Sequence, residues 1–145
     1  IIKKNKEGKE EKIKLRSSFE VFYGNYLINN NIDFIYEKKS FRVNVPKIVD
    51  GKVVDDIHHY TPDFFLVNEN VYVETKGSYN WNKSSLRQEE ASKVFSKEHD
   101  LTVLFWKDIL EVCKLPFRSF QSYKDHASKL DMQVEDYLAR MLYLC

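Results

Sequence analysis

The sequence predicts an α/β fold in which helices flank a small mixed central sheet. Apolar residues recur with helical and strand periods in the order helix, three strands, helix, strand, and the last strand is a continuous apolar run directly after a helix. The length of 145 residues is typical of one domain with its own core. With 43% hydrophobic residues, 31% charged residues, 4 Gly and 3 Pro, collagen-like, low-complexity and wholly disordered classes are excluded.

The N-terminal part is predicted as a basic arm followed by a helix. Residues 1–16 carry seven Lys or Arg and three Glu. We interpret them either as a solvated, flexible arm or as a strand around Ile13 and Leu15 that adds to a partner subunit or touches phosphate. Over residues 18–30 apolar side chains recur every three or four positions, which predicts the first helix.

The middle of the chain is predicted as strands. Residues 32–45 are rich in β-branched and aromatic side chains and predict one strand or a hairpin. Residues 46–59 are predicted as a loop because a proline and an Asp-Gly pair punctuate them. Two short apolar strands over residues 60–67 and 71–75 are joined by a polar turn, which is typical of an antiparallel hairpin.

The second half is predicted as a helix, a strand and then further helices. The second helix begins at Ser85, whose spacing to Gln88 is that of a capping box, and a buried strand follows over residues 101–106. Three helices are predicted beyond it, over residues 109–113, over residues 122–130 and across Val134, Leu138, Met141 and Leu142. The predicted organisation is a basic arm (1–16), a core (17–107) and a helical C-terminal extension packed on the core (108–145).

Charge and cysteine content restrict the function classes. The 23 Lys and Arg against 22 Asp and Glu leave a net charge of +1, so the chain lacks the global basic field of many nucleic-acid binders and any DNA binding must rest on local chemistry. No apolar run approaches the roughly 18 residues that span a bilayer. Cys113 and Cys145 have no close-spaced Cys or His partners. We expect a reduced cytoplasmic setting without membrane contact and, because the chain begins with Ile1, a short leader or tag before it.

The residues with the clearest chemistry lie on the predicted hairpin. Asp63 stands near the start of its first strand, and Glu74 and Lys76 stand two apart on the second, so the latter two share a face and the short turn places Asp63 beside them. Two carboxylates amid apolar neighbours would repel each other and lose hydration, and a hard divalent cation such as Mg²⁺ relieves both penalties. A nearby lysine can position an attacking water or hold a phosphate oxygen. The pattern predicts metal-assisted phosphodiester hydrolysis.

The same residues carry a family resemblance. Pro62-Asp63 followed by Glu74-Thr75-Lys76 resembles the signature of the PD-(D/E)XK nuclease superfamily. The motifs Arg16-Ser17-Ser18-Phe19-Glu20, Phe34-Ile35-Tyr36-Glu37, Tyr60-Thr61-Pro62-Asp63-Phe64 and Val73-Glu74-Thr75-Lys76-Gly77 together are similar to the phage endonuclease I type of Holliday-junction resolvase. The resemblance extends from about residue 16 to residue 130. It implies a restriction-endonuclease-like core of a helix, three strands, a helix and a strand, with a helical C-terminal extension.

The resemblance also implies a site and a partner. Glu20, Asp63, Glu74 and Lys76 would be catalytic, and Asp63, Glu74, Glu20 and Thr75 would bind Mg²⁺, with Mn²⁺ able to substitute. The substrate would be branched or double-stranded DNA, cut by a homodimer in a bacterial host cytoplasm. In that family an N-terminal element is exchanged between subunits, which would involve residues before Ser18.

Other residues have two interpretations. Glu20 is expected in the site, but the spacing of Ser17 and Glu20 is also that of a capping box at the helix start. Each remaining candidate is either a DNA contact or an ordinary solvated charge or loop residue. These candidates are Lys83, Arg87, Arg16, Lys38, Arg42 and His58.

Three alternatives stay open. The fold could serve a homing, restriction or nicking endonuclease, which would read base edges of one linear site in a groove. It could be a non-catalytic nucleic-acid-binding or partner-binding module. The charged hairpin residues could also form an ordinary surface salt-bridge cluster, since charged pairs across a hairpin are common.

Overall fold

A computed structural model describes residues 1–4, 7–77, 81, 86–113 and 120–133. Within these ranges the chain contains both strands and helices, and seven of the strands follow one another between the first and second helices. In order they are β1 (Ile2–Lys4), β2 (Glu10–Lys12), α1 (Ser18–Asn29), β3 (Phe34–Tyr36), β4 (Phe41–Asn44), β5 (Lys47–Val49), β6 (Lys52–Val54), β7 (Ile57–Tyr60), β8 (Phe64–Leu66), β9 (Val71–Thr75), α2 (Leu86–Ser96), β10 (Leu101–Leu104), α3 (Trp106–Val112) and α4 (Phe120–Lys129).

The central sheet has four strands in the order β10-β9-β8-β3. β3, β8 and β9 pair antiparallel, whereas β9 and β10 pair parallel. The parallel pair needs a crossover connection, and α2 lies in it. The predicted α/β class with a mixed sheet is confirmed at this level.

Side chains alternate between the two faces of the sheet along each strand, and both faces are buried. On one face Phe64 and Val73 pack against Tyr23 and Leu27 of α1. On the other face Phe65 and Tyr72 pack against Phe95 of α2, together with side chains of the β4–β7 ribbon. The ends of β8 and β9 are thereby fixed between a helix and a second pair of strands.

The strand prediction for residues 32–45 is wrong in its pairing. β3 and β4 belong to different sheets: β3 pairs with β8, and β4 pairs with β7. The chain turns between them at Glu37, whose φ is 47°. Strand propensity shows where a strand forms, but its partner is set by packing on neighbouring elements.

The predicted loop over residues 46–59 is also wrong. It contains the β5–β6 hairpin and most of β7. Asp50 and Gly51 both have positive φ, 51° and 76°, which matches the tight turn that joins hairpin strands and favours an Asp-Gly pair. The pair marks the tip of a hairpin here.

The N-terminal residues form a hairpin that packs on their own chain. A solvated arm, one of the two expectations for this segment, is therefore not what the structure has. β1 and β2 pair antiparallel, and the backbone of Ile13 bonds to that of Ile1. Ile1, Ile13 and Leu15 pack on the α1 side of the core. Gly24 permits this contact, since a Cβ there would lie 2.9 Å from Ile1 Cδ1 and 3.0 Å from Leu15 Cδ1.

The helices after the sheet begin earlier than predicted. Trp106, expected at the end of a strand, is the first residue of α3, and its buried ring packs 5.5 Å from that of Phe22. α4 covers the helix predicted over residues 122–130, and the third predicted helix lies outside the described residues. None of the helices in the described ranges is long and apolar enough to cross a membrane.

Candidate active site

Asp63 and Glu74 face each other at one end of the sheet. Phe64 is paired with Val73, so the register places Asp63 opposite Glu74 one position further on. The exposed fractions of Asp63 and Glu74 are only 8% and 7%. Thr75, expected as a metal ligand, donates its backbone N–H (2.8 Å) and its hydroxyl (3.0 Å) to Asp63 Oδ2. These two bonds fix the orientation of the Asp63 carboxyl.

Burial changes the protonation of both acids. It raises the pKa of Asp63 to about 8, helped by the charge of Glu74 and opposed by the bonds from Thr75. Burial also raises the pKa of Glu74, although the Tyr60 hydroxyl and the Lys76 ammonium act in the opposite direction. At neutral pH the pair therefore favours a bound proton or another positive charge between its oxygens.

Glu74 is held by two further side chains. The buried hydroxyl of Tyr60 donates to Glu74 Oε2 at 2.6 Å, and Lys76 Nζ lies 3.7 Å from Glu74 Oε1. Lys76 also donates to Gln88 Oε1 at 2.7 Å, and its ammonium lies 5.4 Å from the centre of the Trp81 ring. The structure brings Asp63, Glu74 and Lys76 together, as the strand period indicates.

Glu20 lies at the start of α1, and its charge reaches the acidic pair. The Ser17 hydroxyl caps α1 by accepting from the Glu20 backbone at 3.2 Å. Glu20 Oε2 accepts from the Arg16 backbone at 2.9 Å and from the Tyr36 hydroxyl at 2.5 Å. The carboxyl is buried, and its charge contributes to the raised pKa of Asp63 and of Glu74. Ser17 thus caps the helix, and Glu20 binds the backbone just before that cap and adds negative potential to the acidic pair.

The oxygen ligands at this end of the sheet fit a hard divalent cation. Mg²⁺ binds through one or two carboxylates and keeps several waters or substrate oxygens, which matches the Asp63–Glu74 pair. Across the described ranges no group of three or more His, Cys, Asp and Glu side chains is placed to hold a metal ion. The fit rests on two buried carboxyl groups that repel each other when both are ionised, so a cation between them would be favourable.

A cleft of about 260 Å³ opens beside these groups. Glu74 and Lys76 line one part of its wall, and His58 and Arg87 line another. Arg87 Nη2 bonds to Asp56 Oδ2 at 2.6 Å and lies 3.1 Å from His58 Nε2. A larger cavity of about 480 Å³ lies under the N-terminal hairpin and has neither Asp63 nor Glu74 in its lining, so size alone does not identify the site.

Of the other predicted DNA contacts, the three that the structure describes lie outside the lining of this cleft. Arg16 forms an ion pair with Glu37 and remains 69% exposed. The Lys38 ammonium lies 3.8 Å from the centre of the Phe65 ring. Arg42 is exposed on β4, and Lys83 lies outside the described residues.

The sequence interpretation did not assign a site role to Tyr60, Tyr36, Gln88 or Asp56. Tyr60 and Tyr36 stand inside the motifs that carry the resemblance, so their positions could have marked them. Gln88 is predicted as part of a capping box, yet its side chain, in the first turn of α2, accepts a hydrogen bond from Lys76. Asp56 fell in the region predicted as a loop.

Comparisons with known proteins gave no match: neither a family model, nor a curated protein, nor a solved structure matches this chain.

Proposed function

We propose that this chain is a metal-dependent endonuclease that hydrolyses phosphodiester bonds in branched DNA, above all in four-way junctions. The observation that supports it is the buried Asp63–Glu74 pair, of which Glu74 lines an open cleft together with Lys76. The order of α1, β3, β8, β9, α2 and β10 in the central sheet and its helices is compatible with a restriction-endonuclease-like core. Membership of the PD-(D/E)XK superfamily is part of the proposal.

Asp63 and Glu74 would hold Mg²⁺, or Mn²⁺ in its place, with Thr75 as a further ligand. Glu20 would have to reorient to join them, because its Oε2 accepts from the Arg16 backbone and from Tyr36 and no three acidic side chains of the described ranges are grouped around a cation position. Such a cation acidifies its bound water and stabilises charge on a scissile phosphate. The chain orients the carboxylates in advance, because Thr75 fixes Asp63 and Tyr60 fixes Glu74. Oriented ligands of this kind need no rearrangement when substrate binds.

Lys76 would act on the phosphate or on the attacking water. Its ammonium is held between Gln88 and Glu74 on the cleft wall. From there it can donate a hydrogen bond to a phosphate oxygen or to a water. Arg87 and His58, which line another part of the same wall, would contact the neighbouring phosphates.

The branched substrate is proposed from the resemblance, and the proposed homodimer would suit it. A four-way junction is resolved by cuts on two strands related by a two-fold axis, and a homodimer supplies two matching sites. A homing, restriction or nicking enzyme would instead prefer one linear sequence. A non-catalytic module would cut neither.

The test compares an immobile four-way junction with linear duplex of the same arm sequences, each with Mg²⁺, with Mn²⁺ and with EDTA. The variants are Asp63→Asn, Glu74→Gln and, as a matched control, Glu98→Gln. Glu98 is an exposed carboxylate near the opposite end of β9, beside the β8–β9 turn. Circular dichroism checks that each variant folds.

We expect symmetric, metal-dependent cutting of the junction by the wild type and by Glu98→Gln, and loss of cutting by at least about a hundredfold in the two site variants. If the wild type prefers to cut a linear site, the proposed substrate is a specific linear sequence and not the junction. Cutting that survives in both site variants, or is absent from the wild type under every metal condition, would refute the proposed activity on these substrates.

A further inference from the structure

The β5–β6 hairpin is an exposed ribbon with an apolar pair on one side. Ile48 and Val53 are 75% and 74% exposed, and only Val54 of the six strand residues is half-buried. Exposed β-branched side chains on a two-stranded ribbon gain nothing from the core, and a lone ribbon is marginally stable in water. Such a surface is typical of a contact with something else.

The ribbon has two chemically different faces. Ile48 is the direct cross-strand partner of Val53, so both side chains project on the same side. Lys47 and Lys52, one position away on their strands, project on the opposite side, together with their cross-strand partners Val54 and Val49. The ribbon therefore combines an apolar pair with two cations.

The base of the ribbon is fixed at the rim of the candidate cleft. Asn44 bonds to the Asp55 carboxylate at 2.9 Å and to the Asp56 backbone at 3.0 Å. Arg87 Nη2 bonds to the Val45 carbonyl at 2.8 Å and to Asp56 Oδ2 at 2.6 Å. These contacts join both ends of the ribbon to α2.

Arg87 also belongs to the cleft wall that carries Glu74 and Lys76. The ribbon thus starts from the same wall as the candidate catalytic groups, and a polymer bound across the cleft would pass its base. The two strands continue from there by three residues each, about 10 Å of extended chain.

We propose that the β5–β6 ribbon enters a groove of the DNA beside the cleavage site, with Ile48 and Val53 as an apolar wedge against bases at the branch point. This inference rests on the proposed function. Apolar side chains wedge between base steps in proteins that bend DNA, and the cost of unstacking is smallest where stacking is already interrupted. Lys47 and Lys52 face the flanking phosphates.

A DNA groove fits the ribbon better than a second protein does. A stable protein interface needs about 800 Å² from each partner, contributed by some 20 to 30 residues. The hairpin over residues 47–54 has only eight residues, of which two form the exposed apolar pair. Two exposed apolar side chains, with two cations on the other side of the ribbon, are enough for a wedge inside a larger DNA interface.

The test measures binding separately from cleavage. Junction and duplex carry 2-aminopurine, a fluorescent base, at the branch point or at the matching duplex position, and binding is followed in EDTA by anisotropy and by the fluorescence rise of the unstacked base. The variants are the doubles Ile48→Thr/Val53→Thr and Lys47→Gln/Lys52→Gln. Ile35→Thr removes an exposed apolar side chain from β3 as the matched control. Sedimentation without DNA gives each oligomeric mass, and thermal melting verifies folding.

We expect the apolar double variant to bind the junction about tenfold more weakly and to lose the fluorescence rise, while its mass stays that of the wild type. In the lysine double variant, the slope of log Kd against the logarithm of the salt concentration should be smaller by about 2. Ile35→Thr should behave like the wild type. Threonine keeps the β-branched shape, so the ribbon itself is preserved.

Unchanged binding and fluorescence in the apolar variant overturn the inference, as does a change of its mass without DNA, which would assign the apolar pair to a second copy. If the wild type cuts junctions and the apolar variant does so equally well, the wedge fails while the nuclease proposal stands. If the wild type binds with a ribbon-dependent fluorescence rise but cuts nothing, the wedge stands and the nuclease proposal fails. If the wild type neither binds nor cuts, both fail.

Discussion

The hydroxyl of Tyr60 donates a 2.6 Å hydrogen bond to Oε2 of Glu74 in a buried position. Tyr60 ends β7, which belongs to the two-stranded β4–β7 ribbon, whereas Glu74 lies on the central sheet. The bond therefore ties two separate sheets together at the candidate site. The other oxygen, Oε1, lies 3.7 Å from Lys76 Nζ.

Replacing Tyr60 with phenylalanine tests whether this bond orients the carboxylate. Tyr60→Phe keeps the ring, which packs 5.1 Å from that of Phe95, and removes only the donor. We expect single-turnover cleavage to fall about 10- to 100-fold and the Mg²⁺ concentration for half-maximal rate to rise, as for other groups that orient a metal ligand. Tyr72→Phe, the same change at a buried tyrosine two residues before Glu74, should leave both unchanged. If the two variants reduce cleavage equally, the loss comes from disturbed packing of the tyrosine rings and not from the bond to Glu74.

Asp63 should make the metal-free protein less stable at high pH. Its pKa is raised from 3.8 to about 8, so between these values the folded chain holds a proton that the unfolded chain has released. The unfolding free energy then falls as pH rises through this window. Glu74 shifts in the same direction. We expect urea denaturation in EDTA to show a loss on the order of a few kcal/mol from about pH 5 to about pH 8.

Asp63→Asn is the control for this pH dependence. Asparagine stays neutral at every pH, and its side-chain oxygen can accept the two bonds from Thr75. The variant should be more stable than the wild type at about pH 8 and similar to it at about pH 5. Parallel stability curves for the two proteins would show that Asp63 has no raised pKa. Added Mg²⁺ should recover stability at high pH in the wild type alone.

Gln88 should matter for catalysis through Lys76. Gln88→Leu removes the acceptor that holds the Lys76 ammonium at 2.7 Å. We expect about a tenfold loss of kcat with little change in DNA affinity, since Lys76 keeps its charge and its contact with Glu74. Lys76→Met should lose at least about a hundredfold. Single-turnover rates and binding isotherms give both quantities, with Lys107→Met on α3 as an exposed lysine control. A larger loss in Gln88→Leu than in Lys76→Met would contradict this order.

The part of the candidate site that could be predicted from the sequence depends on residues close together in the chain. The strand period places Glu74 and Lys76 on one face, and the short turn between β8 and β9 brings Asp63 beside them. Both rules act over a few residues, so no knowledge of distant packing is needed. The same holds for α1, because its apolar period and its N-cap Ser17 both lie within a short stretch of sequence.

The rest of the site depends on contacts between distant parts of the chain. The partner of the Tyr60 hydroxyl is 14 residues away, and its orientation depends on the pairing of β4 with β7. That pairing was missed because the Asp-Gly turn at residues 50–51 was assigned to a loop. Once the turn is recognised as a hairpin tip, the return of the chain from β4 to β7 follows.

Gly77 should tolerate no side chain, because the residue is pressed against α1. A Cβ at this position would lie 2.1 Å from Cε2 of Phe19, and that ring cannot yield freely because it packs 5.2 Å from the ring of Trp106. We expect Gly77→Ala to cost about 1–3 kcal/mol and to lower cleavage, since Phe19 precedes Glu20 and Gly77 follows Lys76. Gly8→Ala, where φ is +78° and no atom lies within 4 Å, should lose stability through backbone strain while cleavage stays unchanged. Denaturation and cleavage assays on both variants separate the two causes, and full activity in Gly77→Ala would show that Phe19 can move without disturbing the site.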